Sequence, residues 1–162
     1  MITQTTELAI KTLMLLAVEQ SGKPTSPKQI ARVLGCSPSY LAKTTNALVR
    51  AGILRSVRGT SGGVLLARKA DEIRLLGIIE ACQGPLIGDY CSETAGGGDN
   101  VCAFHIAMME LQDAMVQALK KWTLKDLLRY PAKSSPEGML LKCRMSFQGC
   151  EELFAIAQGK VI

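Results

Sequence analysis

Two Ser-Pro pairs, Ser26-Pro27 and Ser37-Pro38, restrict this chain more than any other feature. Serine accepts hydrogen bonds from the free N–H groups at a helix start, and proline suits the first helical position. Each pair therefore predicts a helix start. The first helix runs through Lys28, Gln29, Ile30, Ala31, Val33 and Leu34 and must stop at Gly35, because the second start follows at once. Two short helices around a Gly-containing turn make a helix-turn-helix. The second helix ends at Ala51-Gly52, with glycine in its usual C-terminal place. It divides into two faces: Leu41, Leu48 and Val49 for a core, and Ser39, Tyr40, Lys43, Thr44 and Asn46 for the outside. Beyond it, Ile53 to Val57 and Val64 to Ala67 read as two short strands around the tip Arg58-Gly59-Thr60-Ser61-Gly62-Gly63.

Charge gives this stretch its direction. From Gln20 to Ala70 there are nine Lys or Arg and no Asp or Glu, in a chain that holds 14 carboxylates elsewhere. Residues 1–75 carry eleven basic and four acidic side chains, or +7; the remainder carries eight and ten, or −2. A basic half beside a slightly acidic half predicts one end that faces a polyanion and another with a different task. Nearly half the residues are apolar but only 4% are aromatic, so the core should be aliphatic. The longest apolar run near the start, Leu13 to Val18, is too short for a signal peptide or a membrane span, so a cytoplasmic location with no membrane partner is expected. Six cysteines there would be core thiols, metal or cluster ligands, or redox groups rather than structural disulfides.

The remaining elements frame the basic stretch. Met1 to Gln20 reads as a well-buried helix, and residues 71–82 as another, broken by Gly84-Pro85. Gly88 to Asn100 is a loop, and a long helix follows from about Asn100 to Lys121. Val101, Phe104, Met108, Leu111, Met115, Ala118 and Trp122 recur at alternating steps of three and four, an apolar seam suited to lengthwise packing on another helix. A second copy of the chain or the monomer's own core would satisfy it; a dimer is favoured, because helix-turn-helix proteins that read DNA usually bind as symmetric pairs. Thr123 to Leu128 adds a turn or two of helix, and Tyr130-Pro131 and Ser134-Ser135-Pro136 break the chain before a tail that carries Cys143 and Cys150. The expected fold is mainly α: a winged helix-turn-helix with a two-stranded wing (residues 1–75), a sensor loop and long dimerisation helix (76–130), and a tail (131–162).

Such a frame predicts double-stranded DNA as partner. A helix fits the major groove, and Ser39, Tyr40, Lys43 and Thr44 would reach base edges or phosphates from its first half. Lys28, Arg50 and Arg55 are candidates for phosphate contact, and Arg58, at the root of the glycine-rich tip, for the minor groove.

The helix-turn-helix SPSYLAKTTNALVRAGIL, the wing SVRGTSGGVLLAR, and a Cys-x-x-His leading into a long helix that ends WTLKDLL together resemble the IscR/NsrR/CymR family of bacterial regulators, over about residues 1–130. The resemblance implies a homodimeric winged-helix transcription factor paired through the long helix. It implies roles for Ser39, Tyr40 and Lys43 on the recognition helix and for Arg58 in the wing. Many members carry an iron–sulfur cluster, commonly held by three cysteines in the loop before the long helix and a fourth ligand of another type. Here the matching loop has Cys91 and Cys102 only, and Ala95-Gly96-Gly97-Gly98 stands in place of the middle cysteine. His105, the one histidine, lies one helical turn after Cys102, and thiolate with imidazole at that spacing suits iron or zinc. Cys91, Cys102 and His105 make three ligands; Cys82, Glu93, Asp99, Cys143, Cys150 or a partner-subunit group would complete the set. A thiol switch between Cys91 and Cys102, or a sensor without a cluster, are the alternatives. Cys36 reads as a small buried thiol, and Cys82 in the same way.

An enzyme is not expected: one histidine, no paired carboxylate motif and no phosphate loop leave little for acid–base or nucleophilic work. A winged helix reused as a protein-binding adaptor is the third reading, and the absence of carboxylates in the basic stretch argues against it.

Overall fold

The computed structural model describes residues 2–19, 22–59, 62–86, 102–129 and Met145. The order is α1 (Gln4–Val18), α2 (Pro27–Leu34), α3 (Pro38–Arg50), β1 (Leu54–Val57), β2 (Gly63–Leu66), α4 (Leu75–Gln83), α5 (Ala103–Lys121) and α6 (Leu124–Arg129). The winged helix-turn-helix and the long later helix are present as the sequence predicts.

Local signals account for the helix ends. Ser37 caps α3 by accepting from the Tyr40 N–H, an interaction worth about 1 kcal/mol. Gly35 stops α2 in the left-handed conformation (φ 64°), and its N–H donates to the Ala31 and Arg32 carbonyls. Gly52 (φ 66°) does the same work after α3. At the start of α1 the Thr3 hydroxyl accepts from Thr6 N–H.

The core is aliphatic. Leu13 and Leu15 of α1, Ile30 of α2, and Leu41 and Leu48 of α3 meet Leu54 and Val64 of the wing. Ile78 of α4 and Leu124 of α6 are wholly buried in the same core, so elements on both sides of residue 75 share it. Met145 packs against its edge. Along α1 even Thr6 and Thr12 are fully buried; Thr12 returns its hydroxyl to the Leu8 carbonyl at 2.8 Å, and Thr6 donates to Gln83 Oε1 at 3.0 Å. A helix buried on nearly every side works as the central rod of the fold.

Two long-range backbone bridges position the outer parts. Strands β1 and β2 pair antiparallel, with Leu54 opposite Leu66 and Arg55 opposite Leu65. Thr25 then joins β2: its N–H donates to the Val64 carbonyl (2.9 Å) and its carbonyl accepts from Val64 N–H (3.0 Å). A Cβ at Gly63 would overlap the Thr25 carbonyl, so only glycine lets the wing approach the entry to α2. The second bridge links Arg74 with Thr123. Leu75 N–H donates to the Trp122 carbonyl (2.9 Å) and Leu124 N–H to the Ile73 carbonyl (2.8 Å), which fixes the exit of α5 to the entry of α4. The Arg74 guanidinium adds a bond to the Lys120 carbonyl at 2.6 Å.

Helix α5 packs on α4 yet buries only Gln112 and Val116. Phe104, Leu111 and Trp122 are exposed, Phe104 to 66%. On a helix of about 3.6 residues per turn, the stripe Phe104–Met108–Leu111–Met115–Ala118–Trp122 lies roughly a quarter turn from the buried Gln112 and Val116. The seam thus lies beside the face that packs on α4 and partly overlaps it: Met108 and Met115 are half-buried, and Met115 and Ala118 line a small cavity with Ile79 of α4, while Phe104, Leu111 and Trp122 stay open. Its first member, Val101, lies outside the described residues.

Candidate nucleic-acid interface

The outer face of α3 is a polar and cationic stripe. Ser39, Lys43, Asn46 and Arg50 are all exposed and follow one another at steps of four, three and four, so they line one side of the helix. The opposite side holds the buried Leu41, Thr45 and Leu48. Asn46 belongs to the stripe as fully as its neighbours, although the sequence reading left it out of the reading set; its spacing from Lys43 was the available signal. An asparagine amide is suited to the paired donor and acceptor of an adenine edge.

Two recognition-helix residues are placed differently from expectation. Thr44 faces inward and is 0% exposed, with its hydroxyl donating to the Tyr40 carbonyl at 3.1 Å. A threonine can be buried in a helix when the carbonyl four residues back satisfies its hydroxyl, so polarity alone misassigned it. Tyr40 is half-buried, its ring packed against the core, and its hydroxyl meets Thr5 of α1 at 3.1 Å. Its tip is already engaged, and it ties the recognition helix to the central rod.

The remaining cations surround this stripe. Lys28 is exposed on the first turn of α2. Arg55 stands on the exposed side of β1, where the chain from Arg55 to Val57 is open to solvent. Arg58 is exposed just beyond the strand, beside Gly59 (φ 116°), and Gly62 N–H closes the turn on the Gly59 carbonyl at 3.0 Å. The carboxylates that flank the basic stretch are occupied: Glu19 accepts from the Thr25 hydroxyl at 2.6 Å, and Asp71 pairs with Lys125 at 3.4 Å. Neither pairs with a cation of this face.

At the start of α5, Cys102 is the N-cap, and its Sγ accepts from His105 N–H at 3.4 Å. The thiol is exposed. His105 Nδ1 is buried and has no hydrogen-bond partner among the described residues. The expected third ligand, Cys91, lies outside the described residues, as do Glu93, Asp99, Cys143 and Cys150. Among the described residues no group of three or more His, Cys, Asp or Glu gathers to hold a metal. Cys102 and His105 are thus two residues of ligand type one helical turn apart, and the contact between them runs through the His105 backbone. Cys82 is a poorer donor: burial pushes its thiol up to about 11, so it is protonated at neutral pH. Cys36 is half-buried and raised in the same direction by burial. No helix among the described residues is long and apolar enough to cross a membrane.

Comparison with known proteins agrees with this geometry. The NsrR regulator of Halalkalibacterium halodurans, described as an HTH-type transcriptional regulator, is 29% identical over 130 residues, covering 78% of this chain and 89% of that protein. Protein aau3 of Rhizobium meliloti is 32% identical over 132 residues, covering 79% and 84%. The solved structure of CymR, the global cysteine regulator of B. subtilis, superposes with a TM-score of 0.68 at 29% identity, covering 81% of this chain and 98% of that one. The model of the Rrf2 family, described as iron-dependent transcriptional regulator, matches residues 2–130. This chain, with a helix-turn-helix that has a cationic outer stripe, a wing and a long apolar-seamed helix, and matched over residues 2–130, belongs to the Rrf2 family of transcriptional regulators, and these are not enzymes.

Proposed function

We propose that the protein binds double-stranded DNA as a homodimer, with α3 in the major groove and the wing against the minor groove. The exposed stripe Ser39–Lys43–Asn46–Arg50, within a stretch that holds no carboxylate, carries this reading. Ser39, Lys43 and Asn46 would address base edges, Lys28, Arg50 and Arg55 phosphates, and Arg58 the minor groove. Tyr40 holds α3 on α1 through Thr5, and Thr44 is omitted from the contact set. The exposed apolar stripe of α5 supports pairing with a second copy, since an uncovered row of Phe, Leu and Trp is unfavourable in water.

Salt titration of binding to the protein's own upstream DNA tests the assignment. Lys28, Arg50 and Arg55 in two copies neutralise six phosphates, so log K against log salt should fall with a slope of about −5. Arg50→Ala should make the slope shallower by about 2, with loss of affinity on every sequence alike. A slope near zero would exclude the DNA-binding reading and leave the adaptor. Light scattering should give twice the 17.4 kDa chain mass, and Leu111→Glu should return the monomer.

The sensing part of the proposal places an iron–sulfur cluster on Cys91, Cys102 and His105. The buried His105 Nδ1, without a hydrogen-bond partner among the described residues and one turn from an exposed thiol, supports it. Such a cluster would supply a centre whose redox state or loss reports iron or oxidant status. The chain's own residues transmit the change: α5 starts at the ligands and ends on the Arg74–Thr123 bridge, next to the root of the wing. Anaerobically isolated protein should be coloured and contain iron and sulfide. Colourless protein that resists reconstitution would leave the Cys91–Cys102 thiol switch, which the exposure of Cys102 favours as the second reading.

A further inference from the structure

A solvent-open cleft of about 610 Å³ lies between the wing root, α4 and the last turn of α5. That volume is in the range of small-molecule sites. Its walls carry both signs of charge: Arg68, Arg74 and Lys120 against Glu72 and Glu80. Among the described residues these five form no ion pair with one another, although they line one cleft. Backbone bonds hold several of them in place. Arg74 Nη1 donates to the Lys120 carbonyl (2.6 Å), Arg68 Nη2 reaches the Ala51 carbonyl (3.5 Å), and Glu72 Oε2 accepts from Lys69 N–H (3.3 Å). The Glu80 carboxylate has no hydrogen-bond partner among the described residues.

Gly77, in the first turn of α4, lies on the cleft wall, and a Cβ there would meet nothing within 4 Å, so the cleft is open at this point and a large side chain at 77 would project into it. Ile53, Ile73 and Leu76 give the cleft an apolar side.

We propose that this cleft binds a free apolar α-amino acid, its carboxylate on the Arg68–Arg74 side, its ammonium on Glu80, and its side chain along the apolar wall. A zwitterion matches both signs of charge on the lining, whereas a ligand with one charge would meet only one of them. The site is separate from Cys102 and His105 and does not depend on DNA binding. Its place between the wing root and the end of α5 is where a ligand would couple the two.

Calorimetry on the full chain with L-leucine as probe is the test. One molecule per chain should bind with a Kd of about 1 mM or tighter. Isocaproate, which lacks the ammonium, and isoamylamine, which lacks the carboxylate, should each bind about tenfold more weakly. Gly77→Leu, checked for native helix content by circular dichroism, should remove binding. Glu80→Gln should weaken L-leucine about tenfold and leave isocaproate unchanged. Absence of L-leucine binding, a single-charge analogue that binds as well, or undiminished binding in both folded variants would each overturn the proposal.

Discussion

Gly63→Ala is the sharpest test of how the wing is held. In the wild type β2 lies against Thr25 with backbone bonds of 2.9 and 3.0 Å, and a methyl group at position 63 would enter the Thr25 carbonyl and crowd Ser26 N. The variant has two options. It can retain both bonds and absorb the overlap, at about 1–3 kcal/mol. Or it can move the strand and lose the bonds, at about 0.5–1.5 kcal/mol each. Both routes centre on about 2 kcal/mol, and because they are alternatives they do not add. For a chain of 162 residues, that lowers Tm by about 4–8 °C. The internal control is Gly77→Ala, the same added methyl in open space within a helix, which should stabilise by up to about 1 kcal/mol. Thermal unfolding followed by circular dichroism at one protein concentration reads both, because Tm of an associating protein depends on concentration. Equal Tm values for Gly63→Ala and wild type would refute the close approach. A Gly63→Ala that is destabilised together with Gly77→Ala would show that the effect is not specific to the bridge.

Two other outcomes follow from single groups. The Asp126 carboxylate accepts from the Thr123 hydroxyl (2.6 Å) and Thr123 N–H (2.9 Å), which hold it below the ordinary carboxylate range. A depressed carboxylate stabilises the fold above its unfolded pKa, and the contribution is lost as pH falls through its folded value. The Tm gap between wild type and Asp126→Asn should therefore be present at neutral pH and narrow as pH falls below about 4; a gap that widens in acid would contradict the bonding. In alkylation with iodoacetamide near neutral pH, the exposed Cys102 should react well before Cys82, whose thiol burial raises to about 11; equal rates, read by mass spectrometry, would contradict its burial.

Helix ends and the wing were legible because their causes are local. Ser37-Pro38 starts α3 and Gly35 and Gly52 end helices through interactions within a few residues, and such signals survive in any tertiary setting. The seam of α5 was legible as periodicity, and which of its members stay exposed needed the position of α4. What the sequence withheld depends on distant partners. Thr44 was assigned outward because it is polar, while its hydroxyl is satisfied inside its own helix. Tyr40 looked free because nothing in the sequence announces Thr5, 35 residues earlier. Gly63 read only as the last residue of the glycine-rich tip, and its reason is Thr25, far back in the chain. The candidate site at Cys102 and His105 is half visible, since the start of α5 places these two candidate ligands a turn apart and the third, Cys91, lies outside the described residues.

The Arg74–Thr123 bridge has a topological consequence. After contributing Ile78 to the core, the chain comes back at Trp122 to the entry of α4, so the segment from Leu75 to Trp122 is closed at its base by backbone hydrogen bonds. A ring closed at its base can lengthen, shorten or melt on its far side without changing the path of the chain through the core. Insertions and deletions between α4 and α5 should thus be tolerated without moving α3 or the wing, whose places are set on the near side of the closure.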